Sequence, residues 1–468
     1  MNSNLILDYN DKPKKGLWAL LSIQHVFAMF SATVLVPMLT GLPISTALFA
    51  SGVGTLIYIL CTKGKVPIYL GSSFAYITYI CAAGSVVKDE AENIISKGPY
   101  GPALTGLLVV GIIYVIVALI IKFAGVNWLK KLLPPVVIGP MIMVIGLSLS
   151  SSAIGQTGIV KGGDYRLMIA SIVTMLIVAI CAIKAKGFFK VIPFLIGIVG
   201  GYLVCLALNW IGKPFMDFSG LVSVVSDPKQ WFGLPEFVFL GWKEADLGAG
   251  ISMTKVSFAA AISVIPLAFA TLSEHIGDHQ VLGKITGKDY MTDPGLHRTI
   301  MGDGIATAFA ALIGGPANTS YGENTSVVGI TKVGSVWVTG GAACVAILLS
   351  FCRIFTSFIA TIPGPVMGGI CLILYGFIAS NGLKTIVDEK VNLGETRNII
   401  IISVMLVIGL GGAVIKIGEQ GQFAGAALAM IFGILLNVIL PKLQHHKNQS
   451  NEFIEGFCLL FLKNFLKK

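Results

Sequence analysis

The sequence predicts an all-α membrane protein with fourteen membrane-spanning segments, arranged as two inverted repeats of seven. First, 55% of its 468 residues are hydrophobic and only 12% are charged, and its mean hydropathy is +0.85, which excludes an ordinary soluble domain. Second, apolar stretches of about twenty residues, the length that crosses the hydrocarbon core, recur from Leu17 to Leu440. Third, lysines follow every second stretch, as they do in the cytoplasmic loops of membrane proteins.

Each half of the chain contains the same number of apolar stretches. The first half has seven, at residues 17–39, 45–62, 68–87, 101–124, 132–151, 167–184 and 189–208. A wetter stretch, residues 209–254, is expected to lie outside the membrane. The second half has seven more, at 255–277, 296–314, 317–335, 337–360, 364–381, 397–416 and 420–440. Because seven is odd, the second half enters the membrane from the opposite side, as in transporters built from inverted repeats.

The lysines also predict the orientation of these segments. They lie between positions 12–15, 63–65, 130–131, 184–186, 384–390 and 442–447, and the positive-inside rule assigns such loops to the cytoplasm. Both termini of this multi-pass protein are therefore expected on the cytoplasmic side of the cell membrane. The first stretch, Leu17 to Leu39, is too long for a signal peptide and lacks a small-residue cleavage site, so we expect it to be retained.

Charge distribution and cysteine spacing exclude other classes. The net charge of +10 comes from 33 basic and 23 acidic residues, but the lysines are scattered between apolar stretches and form no basic stripe for nucleic acid. The eight cysteines show no paired spacing and lie mostly in or beside apolar stretches, where cysteine packs as a small hydrophobic side chain. A membrane enzyme would need a nucleophile or a metal triad, and no such set can be assembled from the residues of this sequence.

The third and tenth segments are interrupted in matching ways. The third opens with residues 66–76, VPIYLGSSFAY, and the tenth with residues 315–324, GPANTSYGEN. Each has a proline, a short extended stretch, and then glycine with hydroxyl side chains. Backbone groups freed by such a break cost several kcal/mol in lipid, so we expect the break to line a cavity or to be buried in protein. Matched breaks point to a substrate site near the middle of the membrane, with Glu323 as a functional candidate; a polar loop between two helices is the alternative.

A second polar cluster, residues 273–279 (SEHIGDH), lies at the predicted end of the eighth segment. Glu274 and Asp278 are four residues apart and share one helix face, whereas His275 and His279 share the adjacent face. Histidine and carboxylate side chains bind metals, but no further ligand at defined spacing accompanies them, so no metal site is predicted. A solvated helix end is the alternative reading of this cluster.

Five separated motifs resemble those of the nucleobase/ascorbate transporter family, and most closely those of its bacterial uracil-transporting members. The motifs lie at residues 24–30, 71–74, 273–277, 293–298 and 318–324. The resemblance runs from about Gln24 to Leu440 and implies a core domain and a gate domain. In this sequence the core would comprise residues 1–124 and 255–360, and the gate residues 125–254, including an outer loop, and 361–441. It also implies nucleobase uptake with H+ as the coupling ion and no cofactor.

The resemblance further implies a set of site residues. Glu274 and Glu323 match the two carboxylates that hold the base. The other implied substrate-binding positions are Ala32, Ser73, Phe74, Tyr321, Gly322 and Tyr375, and the implied proton-coupling positions are His25, Glu274 and Asp278. Two residues depart from the pattern: Asp278 stands where uracil-type members have histidine and is typical of purine-type members, and Ser326 replaces a glycine.

The chemistry of a nucleobase fits these carboxyl groups. Uracil is a flat neutral ring whose edge alternates N–H donors with carbonyl acceptors; an ionised carboxylate accepts N–H bonds, and a protonated one also donates. A xanthine or uric acid permease, favoured by Asp278, remains an alternative, as does an anion exchanger or channel, which would need a cationic site. Association into a homodimer is a further possibility that the sequence leaves open. The cytoplasmic tail, residues 442–468, is either an amphipathic helix on the membrane surface or disordered.

Overall fold

The chain is a mostly helical membrane protein with several apolar spans. A computed structural model describes residues 5–89, 92, 94–190, 192–211, 214–417 and 421–441, so the predicted tail lies outside the described residues. Six described helices are long and apolar enough to cross a membrane: Lys15–Thr40, Ile44–Cys61, Gly101–Ala124, Pro135–Thr157, Tyr165–Lys184 and Gly364–Asp388. Five shorter apolar helices accompany them: Phe74–Ala83, Pro193–Asn209, Val336–Ser350, Thr396–Leu410 and Ala426–Ile439.

The first half of the chain contains ten helices and six strands among the described residues. In order they are α1 (Lys15–Thr40), α2 (Ile44–Cys61), β1 (Leu70–Ser72), a 3-10 turn (Phe74–Tyr76), α3 (Ile77–Ala83), β2 (Val87–Lys88), β3 (Ile94–Ser96), α4 (Gly101–Ala124), α5 (Asn127–Leu132), α6 (Pro135–Ser148), α7 (Ser150–Thr157), α8 (Tyr165–Lys184), a 3-10 turn (Gly187–Lys190), α9 (Pro193–Asn209), α10 (Ser219–Ser226), a 3-10 turn (Pro228–Gln230), β4 (Val238–Gly241), β5 (Ala245–Gly248) and β6 (Ile251–Lys255).

The second half contains eight helices and three strands among the described residues. They are α11 (Phe258–Thr286), a kinked turn (Met291–Gly295), α12 (Leu296–Ile313), β7 (Asn318–Ser320), α13 (Gly322–Thr331), α14 (Val336–Ser350), α15 (Arg353–Ala360), α16 (Gly364–Asp388), α17 (Thr396–Leu410), β8 (Val414–Ile417), β9 (Gly421–Ala424) and α18 (Ala426–Ile439). Prolines stand in the first turn of α4, α6, α9 and α16, where their missing N–H has no helical partner to lose.

The described strands form four small sheets, and one of them joins the two halves of the chain. β1 pairs antiparallel with β7, with Leu70 opposite Ser320, Gly71 opposite Thr319 and Ser72 opposite Asn318. This pairing confirms the predicted extended stretches in the third and tenth segments. The other sheets are the β2–β3 pair, the β8–β9 pair and the three-stranded sheet β4–β6–β5.

The larger helices pack in two groups. In the first group α12 lies against α4 and α2, α14 lies against α2 and α1, and α11 lies against α4. In the second group α16 lies against α6, α7 and α8, α8 lies against α9, and α17 and α18 lie against α6. The groups meet where α11 contacts α6, α18 and β9. Glycine allows close approach inside the first group, because a Cβ on Gly111 would stand 2.6 Å from the backbone oxygen of Gly304.

Two predicted segment ends were wrong in ways that affect the site. The eighth segment does not end near Asp278, because α11 continues to Thr286. The cluster at 273–279 therefore lies within a helix, and the alternative reading of a helix end there was wrong. The predicted span 337–360 breaks between Phe351 and Arg353, because the backbone there bonds to the preceding loop: Gly233 N–H donates to Phe351 O and Arg353 N–H donates to Trp231 O.

Three further boundaries differ. The fifth segment runs on through α7 to Thr157, beyond the expected residue 151. The predicted spans 397–416 and 420–440 are shorter as helices, because α17 ends at Leu410 and α18 begins only at Ala426. Glycines 411, 412 and 425 flank the interval, and its described residues form the β8–β9 pair.

Candidate functional site

The two broken segments cross each other, and each then starts a helix. The ladder between β1 and β7 is extended on both sides: Ser73 N–H donates to Ala317 O at 2.9 Å, and Tyr321 N–H donates to Tyr69 O at 3.0 Å. The backbone groups freed by the break thus bond to one another. The helical turns that begin at Phe74 and Gly322 leave their first N–H groups without helical partners, and such helix N-termini attract polar ligands.

The side chain of Tyr321 fastens this crossing. It is 4% exposed, and its hydroxyl donates to Ser72 O at 2.9 Å and accepts from Thr33 Oγ1 at 3.2 Å. Its ring lies over Gly71, where any Cβ would overlap the ring atoms. The ring of Tyr321 thus packs against the backbone of the third segment, which explains the glycine at position 71.

Helices α11 and α13 bring three carboxylates together. Glu274 and Asp278 share one face of α11, Glu323 stands in the first turn of α13, and all three are partly exposed. Their charges act on one another. Asp278 Oδ2 accepts a hydrogen bond from Ser320 Oγ at 3.3 Å, and a Cβ on Gly322 would stand 3.6 Å from Asp278 Oδ1. The two polar clusters that the sequence singled out thus form a single site.

This site is open toward the end of the molecule that carries the N-terminal segment. That end is marked by the ion pair between Asp8 and Lys288. Gly277, between the two carboxylates of α11, has no other group within 4 Å of the place where a Cβ would stand. Further along, Gln280 of α11 and Ser326 and Ile330 of α13 are exposed. Exposed positions therefore follow the carboxylates along both helices toward this end.

An aromatic pair joins the third segment to the second helix group. Phe74 follows β1, and Tyr375 lies in α16; their rings are 6.3 Å apart between centroids and nearly perpendicular, at 75°. Tyr375 is buried and Phe74 is half-buried. Two other implied site residues, Ala32 and Ser73, are buried beside the crossing. The implied substrate-binding positions thus lie on α1, the two broken segments, α11 and α16.

His25 lies behind the carboxylates. It is 2% exposed, and its Nδ1 and backbone oxygen each lie 3.1 Å from Asn324 Nδ2, which donates to them. Asn324 directly follows Glu323 in α13. His25 therefore contacts Asn324 and, through it, can influence the position of the neighbouring Glu323.

The adjacent face of α11 is anchored by a buried network that sequence spacing alone did not reveal. His275 Nδ1 lies 2.7 Å from Asp303 Oδ2, and His275 Nε2 lies 3.0 Å from Thr299 Oγ1, both on α12. One turn later, His279 Nε2 lies 2.5 Å from the hydroxyl of Tyr58 on α2. All five side chains are buried. The signal that could have found this network is Asp303, an ionisable residue inside an apolar segment.

This network sets the rotation of α11. With both histidines bonded into the first helix group, the face that carries Glu274 and Asp278 turns toward β7 and α13. Asp303 Oδ1 has no hydrogen-bond partner among the described residues. Within the same residues no group of three or more His, Cys, Asp or Glu could hold a metal ion.

Comparisons with known proteins identify the family and agree with this fold. Residues 16–418 match the Xan_ur_permease family, described as a permease family. The uracil permease of Bacillus caldolyticus is 47% identical over 438 residues, covering 93% of this chain and 95% of the relative. Those of Bacillus subtilis (strain 168) and Escherichia coli (strain K12) are 43% and 37% identical, covering 95% and 90% of this chain and 98% and 90% of the relatives.

Solved structures share the fold at much lower identity. SLC26A9 gives a TM-score of 0.61 at 13% identity, covering 90% of this chain and 64% of that chain. The transmembrane domain of the cyanobacterial bicarbonate transporter BicA gives a TM-score of 0.57 at 13% identity, covering 92% of this chain and all of that chain. Such identity establishes a shared architecture and nothing about what is carried.

Proposed function

Because this chain belongs to the Xan_ur_permease family, a family of permeases, we propose that it takes up a nucleobase, uracil, by proton symport. The observation that carries the proposal is the meeting of Glu274, Asp278 and Glu323 where the two broken segments cross. The relatives called uracil permeases, 37–47% identical over at least 90% of this chain, support uracil as the base.

Substrate recognition follows from the chemistry of the site. Glu274 and Glu323 accept hydrogen bonds from the ring N–H groups of uracil, and the N–H groups at the start of α13 donate to its carbonyl oxygens. Phe74 and Tyr375 pack against the ring, and Ala32 and Ser73 bound the space beside it. The pocket therefore offers donors, acceptors and an aromatic surface to one flat neutral molecule.

Proton coupling follows from three carboxyl groups in a confined site. Carboxylates this close repel one another, so the site favours holding a proton, and the proton is shared by the cluster as a whole. We assign the coupling proton to Asp278 and Glu274, and we assign His25 the role of positioning Glu323 through Asn324. A nucleobase that forms hydrogen bonds with the carboxylates changes their affinity for protons, so substrate binding and proton binding are linked.

We assign fourteen spans among the described elements. They are α1, α2, β1 with α3, α4, α6 with α7, α8 and α9, followed by α11, α12, β7 with α13, α14, α16, α17 and α18. The first helix group then corresponds to a core domain (spans 1–4 and 8–11) and the second to a gate domain (spans 5–7 and 12–14). Movement of one against the other gives alternating access. With both termini cytoplasmic, the open side of the site faces the cytoplasm.

One alternative has an observation in its favour. Asp278 adds a third carboxylate, which suits a purine such as xanthine with its larger set of N–H donors. The likeness to SLC26A9 and BicA does not favour an anion, because it is a likeness of fold at 13% identity and the site gathers negative charge.

Uptake by reconstituted protein tests the proposal. Radiolabelled uracil is offered to proteoliposomes with an inward proton gradient, and unlabelled xanthine, uric acid and cytosine compete. We expect accumulation that only unlabelled uracil suppresses strongly. Strong suppression by xanthine would move the assignment to a purine permease, and no accumulation of radiolabelled uracil would refute uracil transport.

A further inference from the structure

A polar contact joins the two helix groups on the side of the site opposite its opening. Lys88 Nζ donates to Glu92 Oε2 at 3.0 Å, and Ser152 Oγ of α7 donates to the same oxygen at 2.9 Å. Lys88 and Glu92 lie between α3 and α4 of the first group, whereas α7 belongs to the second. The side chains of Lys88 and Glu92 are only 17% and 25% exposed, so this contact is largely withdrawn from water.

The contact lies beyond the aromatic pair when viewed from the site. The charge of Glu92 acts on Tyr375, the partner of Phe74, and the charges of Lys88 and Glu92 act on the thiol of Cys81 in α3. The same end of the molecule carries the three-stranded sheet, because Gly101 at the start of α4 lies against Lys255 of β6. On this side the Phe74–Tyr375 pair and the Lys88–Glu92–Ser152 contact both join the two helix groups.

A cavity of about 540 Å³ lies between the two groups on this same side. Thr78 and Ala82 of α3 and Leu267 of α11 form one wall, and Ser148, Ser151 and Gln422 form the other. Ser151 immediately precedes Ser152, which bonds to Glu92. Leu267 precedes Glu274 by seven residues, about 10 Å along the axis of α11. Along α11, the cavity therefore lies roughly two turns from the carboxylates.

We propose that Lys88, Glu92 and Ser152 form an outer latch, which holds the core and gate domains together while the site is open to the cytoplasm and breaks when the site opens outward. This inference rests on the proposed function, since it assigns the latch to the same transport cycle. Opening would admit the base through the cavity.

The bonding pattern suits a contact that must break in every cycle. Of the two bonds to Glu92 Oε2, only that from Ser152 crosses between the groups, so separation removes one hydrogen bond. Lys88 stays beside Glu92 in its own loop and continues to neutralise it after the groups part. Because no unpaired charge is left behind, opening does not meet the large penalty of a buried ion pair that is pulled apart.

Thiol labelling from outside the cell tests the latch. In a background where Cys81 is the only cysteine, a membrane-impermeant maleimide reports how often the outer side opens. We expect Ser152→Ala and Glu92→Gln to raise the labelling rate of Cys81 roughly tenfold, since each weakens one charge-assisted hydrogen bond. Asp246→Asn, which removes a charge from exposed strand β5, is the matched control and should leave the rate unchanged.

A covalent latch gives an independent measurement. In a background without other cysteines, Glu92→Cys combined with Ser152→Cys and bridged by a bifunctional methanethiosulfonate reagent should lose uracil uptake, and reduction of the bridge should restore it. Equal labelling of Cys81 in all variants, or full uptake with the bridge in place, would overturn the latch. Uptake by the unaltered chain tests the proposed function separately: if it carries uracil while these results fail, only the latch is refuted.

Discussion

Replacing Asp278 with asparagine is expected to abolish accumulation of uracil while leaving exchange of uracil across the membrane. Asparagine has the same shape and keeps an oxygen that can accept the hydrogen bond from Ser320, which is 3.3 Å long in the native site. In the variant this hydrogen bond joins two neutral groups and is worth about 1 kcal/mol. The affinity for uracil should therefore change by less than roughly tenfold. What the variant loses is an ionisable group that carries the coupling proton.

The size of the effect follows from the membrane potential. A proton that moves inward with a neutral base gains about 2.3 kcal/mol per 100 mV, which corresponds to roughly fifty-fold accumulation for one proton per base. Without proton coupling the potential does no work on a neutral base, and the inside and outside concentrations become equal. Asp278→Asn should therefore lower the accumulation ratio at about −100 mV from roughly fifty to about one.

Proteoliposomes with an imposed potential separate the two activities. Accumulation is measured with radiolabelled uracil, and exchange is measured by loading the vesicles with unlabelled uracil and following counterflow. Asp388→Asn, at the exposed end of α16, is the matched control and should accumulate uracil normally. Asp278→His should also keep uracil uptake. Normal accumulation by Asp278→Asn would show that this carboxylate carries no coupling proton.

Four further outcomes are expected. Glu323→Gln and Glu274→Gln should each reach the membrane yet lose nearly all uptake, because one charge-assisted hydrogen bond is worth roughly 1.5 to 3 kcal/mol, or ten- to hundredfold in affinity. Uptake near that of the unaltered chain would refute their role. An uncoupler should stop accumulation, whereas uptake driven by a sodium gradient alone would contradict proton coupling. Gly71→Ala should reduce the amount of folded protein in the membrane, measured by size-exclusion chromatography in detergent, since its Cβ would overlap the ring of Tyr321. Arg397→Met should lower the melting temperature in detergent without changing the KM for uracil. The reason is that the buried guanidinium donates to the backbone oxygens of Asn437 at 2.7 Å and Leu440 at 3.1 Å, at the end of α18. An unchanged melting temperature would contradict this anchoring role.

The sequence alone determined the class of the protein, the extended breaks in segments 3 and 10, and the two polar clusters. These features are local: an apolar stretch of given length must cross the membrane, and a proline–glycine break with hydroxyls cannot face lipid. Helical spacing also separated the face of Glu274 and Asp278 from that of His275 and His279, which the structure confirms by bonding the histidines to α2 and α12.

Tertiary structure alone decided which of these groups meet. The residues beside Tyr321 in the sequence do not show that its ring covers Gly71. Likewise, the sequence around Asp278 does not show that α11 continues to Thr286. Ser152 and Glu92, sixty residues apart, likewise become partners only because α7 packs beside the loop that follows α3. Periodicity specifies which face of a helix a side chain occupies, whereas its partner depends on how distant helices pack and how far each one extends, and those are properties of the whole assembled bundle.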